Sequence, residues 1–436
     1  MKVNLAFSTT GLTAELPHGF DYRVLEARSA LPLRDVPGAI ERALDEPIGC
    51  AALEEIASNR KTAAIAVCDI TRPVPNRLTL PPILKRLERA GIGEENVTIL
   101  IATGLHRAAT QQEIDEILGS EIASRYRVVN HNARERDEHS ALGETSTGTP
   151  VFIDRRFIDA DLRITLGLIE PHLMAGYSGG RKLVAPGLAG QETIKVLHSP
   201  RFMRGPRAIE GAIENNPLHE ELLEISALAG HDFICDVAMA RDRSIGGVFA
   251  GAPVEAHRQG WKFVSSTLLE TLARPVDAVI TTAAGYPLDL TFYQAIKGIT
   301  AAAHIVKQGG RILLAAGCEQ GVGAREFADM ILGLGSYDEF LRRILDRPVT
   351  VDQWQLEKLA LAGSRAEIFF YVPGLPPEFQ AALPGRTFQS FGEALRALTA
   401  GLSEGAAIAV IPDGPYVLAQ VADALDKEAC LVSTPS

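Results

Sequence analysis

The apolar run Leu162–Gly167 (LRITLG) has the length and unbroken hydrophobicity of a buried parallel strand. It delivers the chain into Glu170–Gly187, EPHLMAGYSGGRKLVAPG, which packs a carboxylate, a histidine, four glycines, a serine, an Arg-Lys pair and a proline into one short segment. Such a segment sits at the carboxyl end of its strand, the edge at which open α/β sheets bind ligands. Gly179 and Gly180 admit a positive φ or a close approach of the backbone to a ligand. Lys182 follows them, and an amine beside a Gly-rich turn can bind phosphate or act as a nucleophile. The spacing to Lys182 is wrong for a Walker A loop, and no Ser or Thr follows it. A Gly-rich surface turn with a solvated lysine has the same sequence signature, so this segment alone leaves both readings open.

The same junction recurs along the chain. Thr62–Val67 (TAAIAV) reads as a buried strand and runs into Asp69, Thr71 and Arg72 just before Pro73. Taken alone, these residues describe an Asx-type turn with an exposed arginine. A helix is expected over Pro81–Ala90, stopped by Gly91. Val97–Ala102 (VTILIA) is the next strand, and it delivers His106 into a loop before the Thr110/Glu113 capping box of a helix ending at Leu118. Gln191–Leu197 reads as a short helix ending in His198. That histidine suits the negative end of the helix dipole, and equally a metal ligand or an acid/base. Phe233–Ala238 and Ser244–Phe249 flank a hairpin turn, Val254–Leu272 reads as one long helix, and Arg274-Pro275 reads as a linker.

Beyond the linker the alternation restarts. Ala278–Thr282 is a strand, and the helix after it carries Tyr293, Gln294 and Lys297 on one face by i, i+3 and i, i+4 spacing. Arg311–Ala316, Glu367–Tyr371 and Ala406–Ile411 are further strands. The pattern predicts an α/β protein of two doubly wound, Rossmann-like domains with an active-site cleft between them. Residues 1–272 form the cofactor-binding domain and 276–436 a C-terminal domain supplying substrate-binding residues, with a C-terminal tail packing back on the first domain.

Composition narrows the function classes. The net charge of −11 over 436 residues, with scattered Lys and Arg, lacks the basic footprint of a nucleic-acid binder. Five widely spaced cysteines without a CxxC pair indicate neither a disulfide framework nor a thiolate zinc site, which fits a reducing cytoplasm. No apolar run approaches the ~20 residues of a membrane helix, and the N-terminus lacks a signal-peptide core.

The residues at the strand ends suggest a chemistry. Arg72, Gln294 and Lys297 would make a carboxylate clamp, Arg with its planar fork and Lys as a point charge. His106 and His172 can serve as an acid/base pair near neutral pH, and two bases suit a reaction that accepts either enantiomer. His198 is then spare and able to bind a metal. The sequence pattern by itself does not choose among these roles.

DITRP (Asp69–Pro73), ATGLHR (Ala102–Arg107), EPHLMAGYSGGRKLVAPG and the downstream His198 together resemble the motif set of the nickel-dependent lactate racemase family. The likeness continues through GYP (Gly285–Pro287), TFYQAIKG (Thr291–Gly298) and DQW (Asp352–Trp354), in order along most of the chain. It implies a nickel-pincer nucleotide (pyridinium-3,5-bisthiocarboxylic acid mononucleotide nickel) tethered to Lys182, with His198 as the protein's nickel ligand. It further implies cofactor contacts from Asp69, Thr71 and Arg72 and an acid/base pair of His106 and His172. Arg72, Tyr293, Gln294, Lys297 and Trp354 would bind substrate. The implied activity is racemisation or epimerisation of a 2-hydroxy acid by proton-coupled hydride transfer, in partnership with cofactor-biosynthesis enzymes. A nicotinamide-dependent dehydrogenase lacks its GxGxxG spacing here, since Gly317, Gly321 and Gly323 do not supply it. A non-enzymatic cofactor carrier would have no need of both His106 and His172.

Overall fold

The computed structural model describes residues 1–26 and 28–422. The C-terminal tail expected to pack on the first domain, and Cys430, lie outside the described residues. The chain divides into two compact units, one of Ser29–Thr267 and one joining Met1–Arg28 to the segment from Leu268 onward. Both are α/β.

The Ser29–Thr267 unit is built on a six-stranded sheet. Strand Ala63–Cys68 lies at its centre. Val97–Ala102 and Arg127–Asn130 follow in parallel on one side. Leu162–Leu166 and Phe233–Met239 follow in parallel on the other, and Ile245–Gly251 closes that edge antiparallel. The central strands are apolar throughout because both faces are covered. Ile65, Val67, Ile99, Ile101, Ile164 and Leu166 enter one core with the helices Val36–Asp45, Asn76–Arg89 and Gln111–Leu118. The short helical turns Arg155–Ile158 and Arg181–Val184 contact the sheet's central strands as well. Strand order reverses between Ala63–Cys68 and Leu162–Leu166. The loops after these two strands, which carry Asp69 to Pro73 and the Glu170–Gly187 segment, therefore flank the topological switch point, where such sheets bind ligands.

The second unit has its own six-stranded, all-parallel sheet. Val276–Thr282 is flanked by Val306–Ala315 and Ala407–Ile411, with Ala366–Tyr371 and Arg386–Thr387 beyond the former. Alternate residues face two separate cores. Val279, Ile312, Leu314 and Phe370 meet residues of helices Phe292–Ala303 and Gln353–Arg365. Ile280, Leu313 and Ile408 meet helix Phe391–Thr399 and the hairpin Lys2–Leu5/Leu12–Glu15.

That hairpin corrects the expected domain boundary. Residues 1–28 do not belong with the Ser29–Thr267 unit, because Asp21–Val24 pairs in parallel with Ala407–Val410 and forms the edge of the second sheet. The expected helix Val254–Leu272 ends at Leu268, and Leu269–Leu272 is instead a strand paired with Leu418–Val421. The helix expected at Pro81 begins at Asn76, with both prolines inside it. Its buried stripe of Thr79, Leu80, Ile83 and Leu87 outweighs the two backbone bonds that Pro81 and Pro82 cannot make. Cys50, Cys68, Cys235 and Cys318 are free thiols. Among the described residues no helix is long and apolar enough to cross a membrane.

Candidate active site

Strand Ala63–Cys68 ends directly before Asp69, which is buried, and Val97–Ala102 ends four residues before His106, whose side chain is 62% exposed. His106 Nδ1 donates to Asp69 Oδ2 at 2.7 Å. Asp69 Oδ1 accepts from the Thr71 amide at 3.2 Å and the Thr71 hydroxyl at 2.5 Å. Burial raises the Asp69 carboxyl, but the bonds from His106 and Thr71 and the charge of Arg72 outweigh it and hold the group below its ordinary value. Asp69 is therefore an anion that fixes the His106 ring and leaves Nε2 as its lone-pair atom. The expected cofactor contacts Asp69 and Thr71 thus also form a support for His106.

Arg72 pairs through Nε with Glu170 Oε1 at 3.3 Å, which links the two loops at the switch point. Pro171–His172 and Gly176–Tyr177 form a small antiparallel hairpin, with His172 opposite Gly176. At its tip the Met174 and Ala175 amides point at His172 Nδ1, at 3.4 and 3.3 Å. His172 Nδ1 is thus an acceptor and its ring proton lies on Nε2. The two histidines accordingly present opposite faces at Nε2, a lone pair on His106 and an N–H on His172.

Gly179 (φ +78) and Gly180 (φ +49) turn the chain into the helical turn Arg181–Val184. Any side chain at Gly179 would meet the Asp236 carboxylate, 2.5 Å from a Cβ built there. Asp236 is buried and accepts the Gly180 amide at 2.7 Å. Burial pushes its carboxyl up to about 7. Lys182 is presented from this turn. Burial, reinforced by the charges of Arg181 and Arg72, brings its amine down to about 7, with Cys68 and Glu170 opposing. A lysine in that state is substantially neutral near pH 7 and nucleophilic.

Helix Gln191–Leu197 ends at His198. Its Nδ1 donates to the Ile194 carbonyl at 2.8 Å, which leaves Nε2 as the lone-pair nitrogen, the arrangement of a metal-ligating histidine. Burial brings His198 down to about 4, the Ile194 bond opposes, and the charge of Lys182 adds to the lowering. The imidazole is neutral and electrostatically coupled to Lys182. Among the described residues no three His, Cys, Asp or Glu side chains converge as a metal cage.

The second unit carries a second set. Tyr293, Gln294 and Lys297 lie on helix Phe292–Ala303. Trp354 is buried and donates Nε1–H to the Tyr293 hydroxyl at 3.3 Å, while Gln355 Nε2 donates to the Tyr293 carbonyl at 2.9 Å. Gln294 Oε1 is buried and has no hydrogen-bond partner, a polar atom left for a ligand or water.

Sequence reasoning missed Asp236, Glu170 as the partner of Arg72, and the buried supports Arg181, His257 and Asn216. Only Asn216 carried a local signal, a capping Asn before a Pro at the first helical position.

The lactate racemase N-terminal domain matches residues 7–211, and the lactate racemase C-terminal domain matches residues 272–419. The chain is 34% identical over 382 residues to a lactate racemase of Thermoanaerobacterium thermosaccharolyticum, covering 87% of this chain and 89% of that protein. It is equally identical to a lactate racemase of Lactiplantibacillus plantarum, over 87% of this chain and 90% of that one. Its fold superposes on the lactate racemase apoprotein from T. thermosaccharolyticum with a TM-score of 0.89 at 31% identity, covering 96% of this chain and 100% of that one. A Thermotoga maritima protein shares the fold at a TM-score of 0.66 and 17% identity, over 90% and 99% of the two chains.

Proposed function

The chain belongs to the lactate racemase family and is an isomerase of the racemase type, and from that premise we infer that it inverts C2 of a 2-hydroxy acid, lactate being the first substrate to test. The observation that carries the reading is the neutral, desolvated Lys182 amine beside a His198 whose Nδ1–H is committed to the Ile194 carbonyl. That donor set fits a nickel-pincer nucleotide joined to Lys182 and ligated by His198 Nε2. When bound, this group supplies the acceptor for the α-hydride, which no side chain can provide.

The protein's own residues do the rest. Arg72 of the first unit and Tyr293, Gln294, Lys297 and Trp354 of the second are the residues assigned to substrate, and Asp69, Thr71 and Arg72 serve the cofactor side. His106, held by Asp69, takes the hydroxyl proton at Nε2 as the C2 oxygen becomes a carbonyl. His172 presents Nε2–H and donates a hydrogen bond to that oxygen. The proton returns after the carbonyl has turned its other face. Cofactor-biosynthesis enzymes are the partners that this reading implies.

The test is a chiral assay of protein expressed with the cofactor-making enzymes. Either lactate enantiomer should yield the same mixture without added nicotinamide nucleotide, from protein whose Lys182 peptide carries a nickel-bearing adduct. Net formation of a 2-oxo acid coupled to added nicotinamide nucleotide would favour the dehydrogenase. Adduct without turnover on any 2-hydroxy acid would favour the carrier.

A further inference from the structure

The hairpin that carries His172 is braced from beneath by two buried polar residues that the reaction itself does not use. Asn216 is fully buried. Its Nδ2 donates to the Met174 carbonyl at 3.1 Å and the Ala212 carbonyl at 2.9 Å. Its Oδ1 accepts the Leu218 and His219 amides at 3.0 and 3.1 Å, capping helix Pro217–Leu228. All of its hydrogen-bonding capacity is thus used. Arg181, 2% exposed, donates Nη2–H to the Ala175 carbonyl at 2.8 Å and Nη1–H to the Tyr177 carbonyl at 3.1 Å. His257, from helix Pro253–Leu268, lies 2.8 Å from Arg181 Nη1 and backs it. Arg181 is also the residue next to Lys182, so one guanidinium ties the hairpin of His172 to the turn of Lys182.

The geometry has a specific consequence. The Met174 carbonyl that Asn216 holds and the Ala175 amide that faces His172 Nδ1 belong to one peptide group. A donor on the carbonyl oxygen fixes the plane of that peptide and strengthens its N–H as a donor. We propose that Asn216 and Arg181 are positioning residues for His172: through the Met174–Tyr177 backbone they aim a peptide N–H at Nδ1 and keep the ring proton on Nε2, where it faces the reaction. This rests on the racemase reading for its consequence in turnover, but not for its structural content.

The experiment uses Asn216→Ser and Arg181→Lys in the full chain. Serine keeps a helix cap and loses the reach to Met174. Lysine keeps the buried charge and loses the planar fork. The first readout is the nitrogen-15 spectrum of histidine-labelled apoprotein, with His172 assigned by its loss in His172→Gln. The wild type should show the Nε2–H tautomer, and each variant a mixture or the Nδ1–H form. The second readout is turnover of protein carrying the cofactor adduct: kcat should fall about tenfold or more, with KM within about twofold, because a small misplacement suffices for a loss of that size. Rings that stay in the Nε2–H form in whichever variants fold, with wild-type kcat, would overturn the proposal. So would loss of thermal stability alone, without a change of tautomer. A wild type without racemase turnover would instead count against the function, and the tautomer readout would still decide this point.

Discussion

At the scale of single residues, the site works by giving chemically similar groups different surroundings. His106 and His172 are both imidazoles, yet a carboxylate holds one and peptide amides face the other. If His106 is the base and His172 a hydrogen-bond donor, the two tolerate replacement differently. Glutamine retains an N–H but no base, so His172→Gln should keep a measurable fraction of turnover, while His106→Gln should fall to background. Chiral assays of the two variants at matched cofactor content check this, and equal losses would mean that both rings exchange protons. Lys182 has a signature of its own. Its amine is neutral above about 7 rather than above its ordinary value of 10.5, because burial and the Arg181 and Arg72 charges oppose protonation. The sign is then fixed: acylation of Lys182 by a limiting amine reagent should rise with pH up to about 7 and level off above it, while exposed lysines keep rising toward their ordinary, much higher value. Peptide-resolved labelling across pH reads this out. His198→Ala should remove nickel while leaving the Lys182 adduct, which intact mass and metal analysis of one preparation distinguish.

At the scale of elements, the glycine segment shows what is legible in a chain and what is not. The run of apolar strands, each ending on polar or Gly-rich residues, announces a parallel sheet, and the residues at those ends are the ones at the switch point. The Thr110/Glu113 capping box and the helix ending at His198 also follow from local chemistry alone. The supports do not. Asp236 lies inside a strand whose other residues read as core, and its role comes from a Gly180 amide far away in sequence. Arg181 reads only as half of an Arg-Lys pair beside a glycine turn until the fold buries it. Gly176 belongs with these. Its φ is +74, and a Cβ there would lie 2.2 Å from the Ala212 carbonyl oxygen. The close approach lets Gly211 donate to the Gly176 carbonyl and lets Asn216 reach both Met174 and Ala212. Gly176→Ala should therefore lower stability by ~1–3 kcal/mol, or by more if the Ala212 backbone cannot yield. It should also impair turnover through His172. A shifted urea midpoint together with reduced kcat supports this, and an unshifted midpoint would mean that the hairpin moves aside at no cost.

At the scale of the whole molecule, the order of segments along the chain is not their order in space, and this is where the sequence reading erred. Neither the short, half-exposed strand Asp21–Val24 nor its partner was legible, because its residues carry little local signal and pairing is decided by the edge available. That edge belongs to Ala407–Ile411, at the other end of the chain. The attachment is more than one strand. Val3, Leu5, Ala14 and Leu16 cover Ile280, Leu313, Ile408 and Val410 on one face of the second sheet. The buried Asp289 carboxylate accepts the Ser8 amide at 2.6 Å and the Gly317 amide at 3.0 Å, tying the N-terminal segment to a loop at the sheet's carboxyl edge. Removing residues 1–28 would expose an apolar face and an unpaired strand edge, the combination that favours aggregation. Residues 29–267 contain their whole sheet and its helices. A fragment of 29–267 should therefore unfold in one cooperative transition. A fragment of 268–436 should bind hydrophobic dyes and melt without a sharp transition, and joining residues 1–28 to it through a flexible linker should restore cooperative melting. Circular dichroism melts of the three fragments decide the matter. Cooperative unfolding of 268–436 by itself would show that the N-terminal segment only decorates the second sheet.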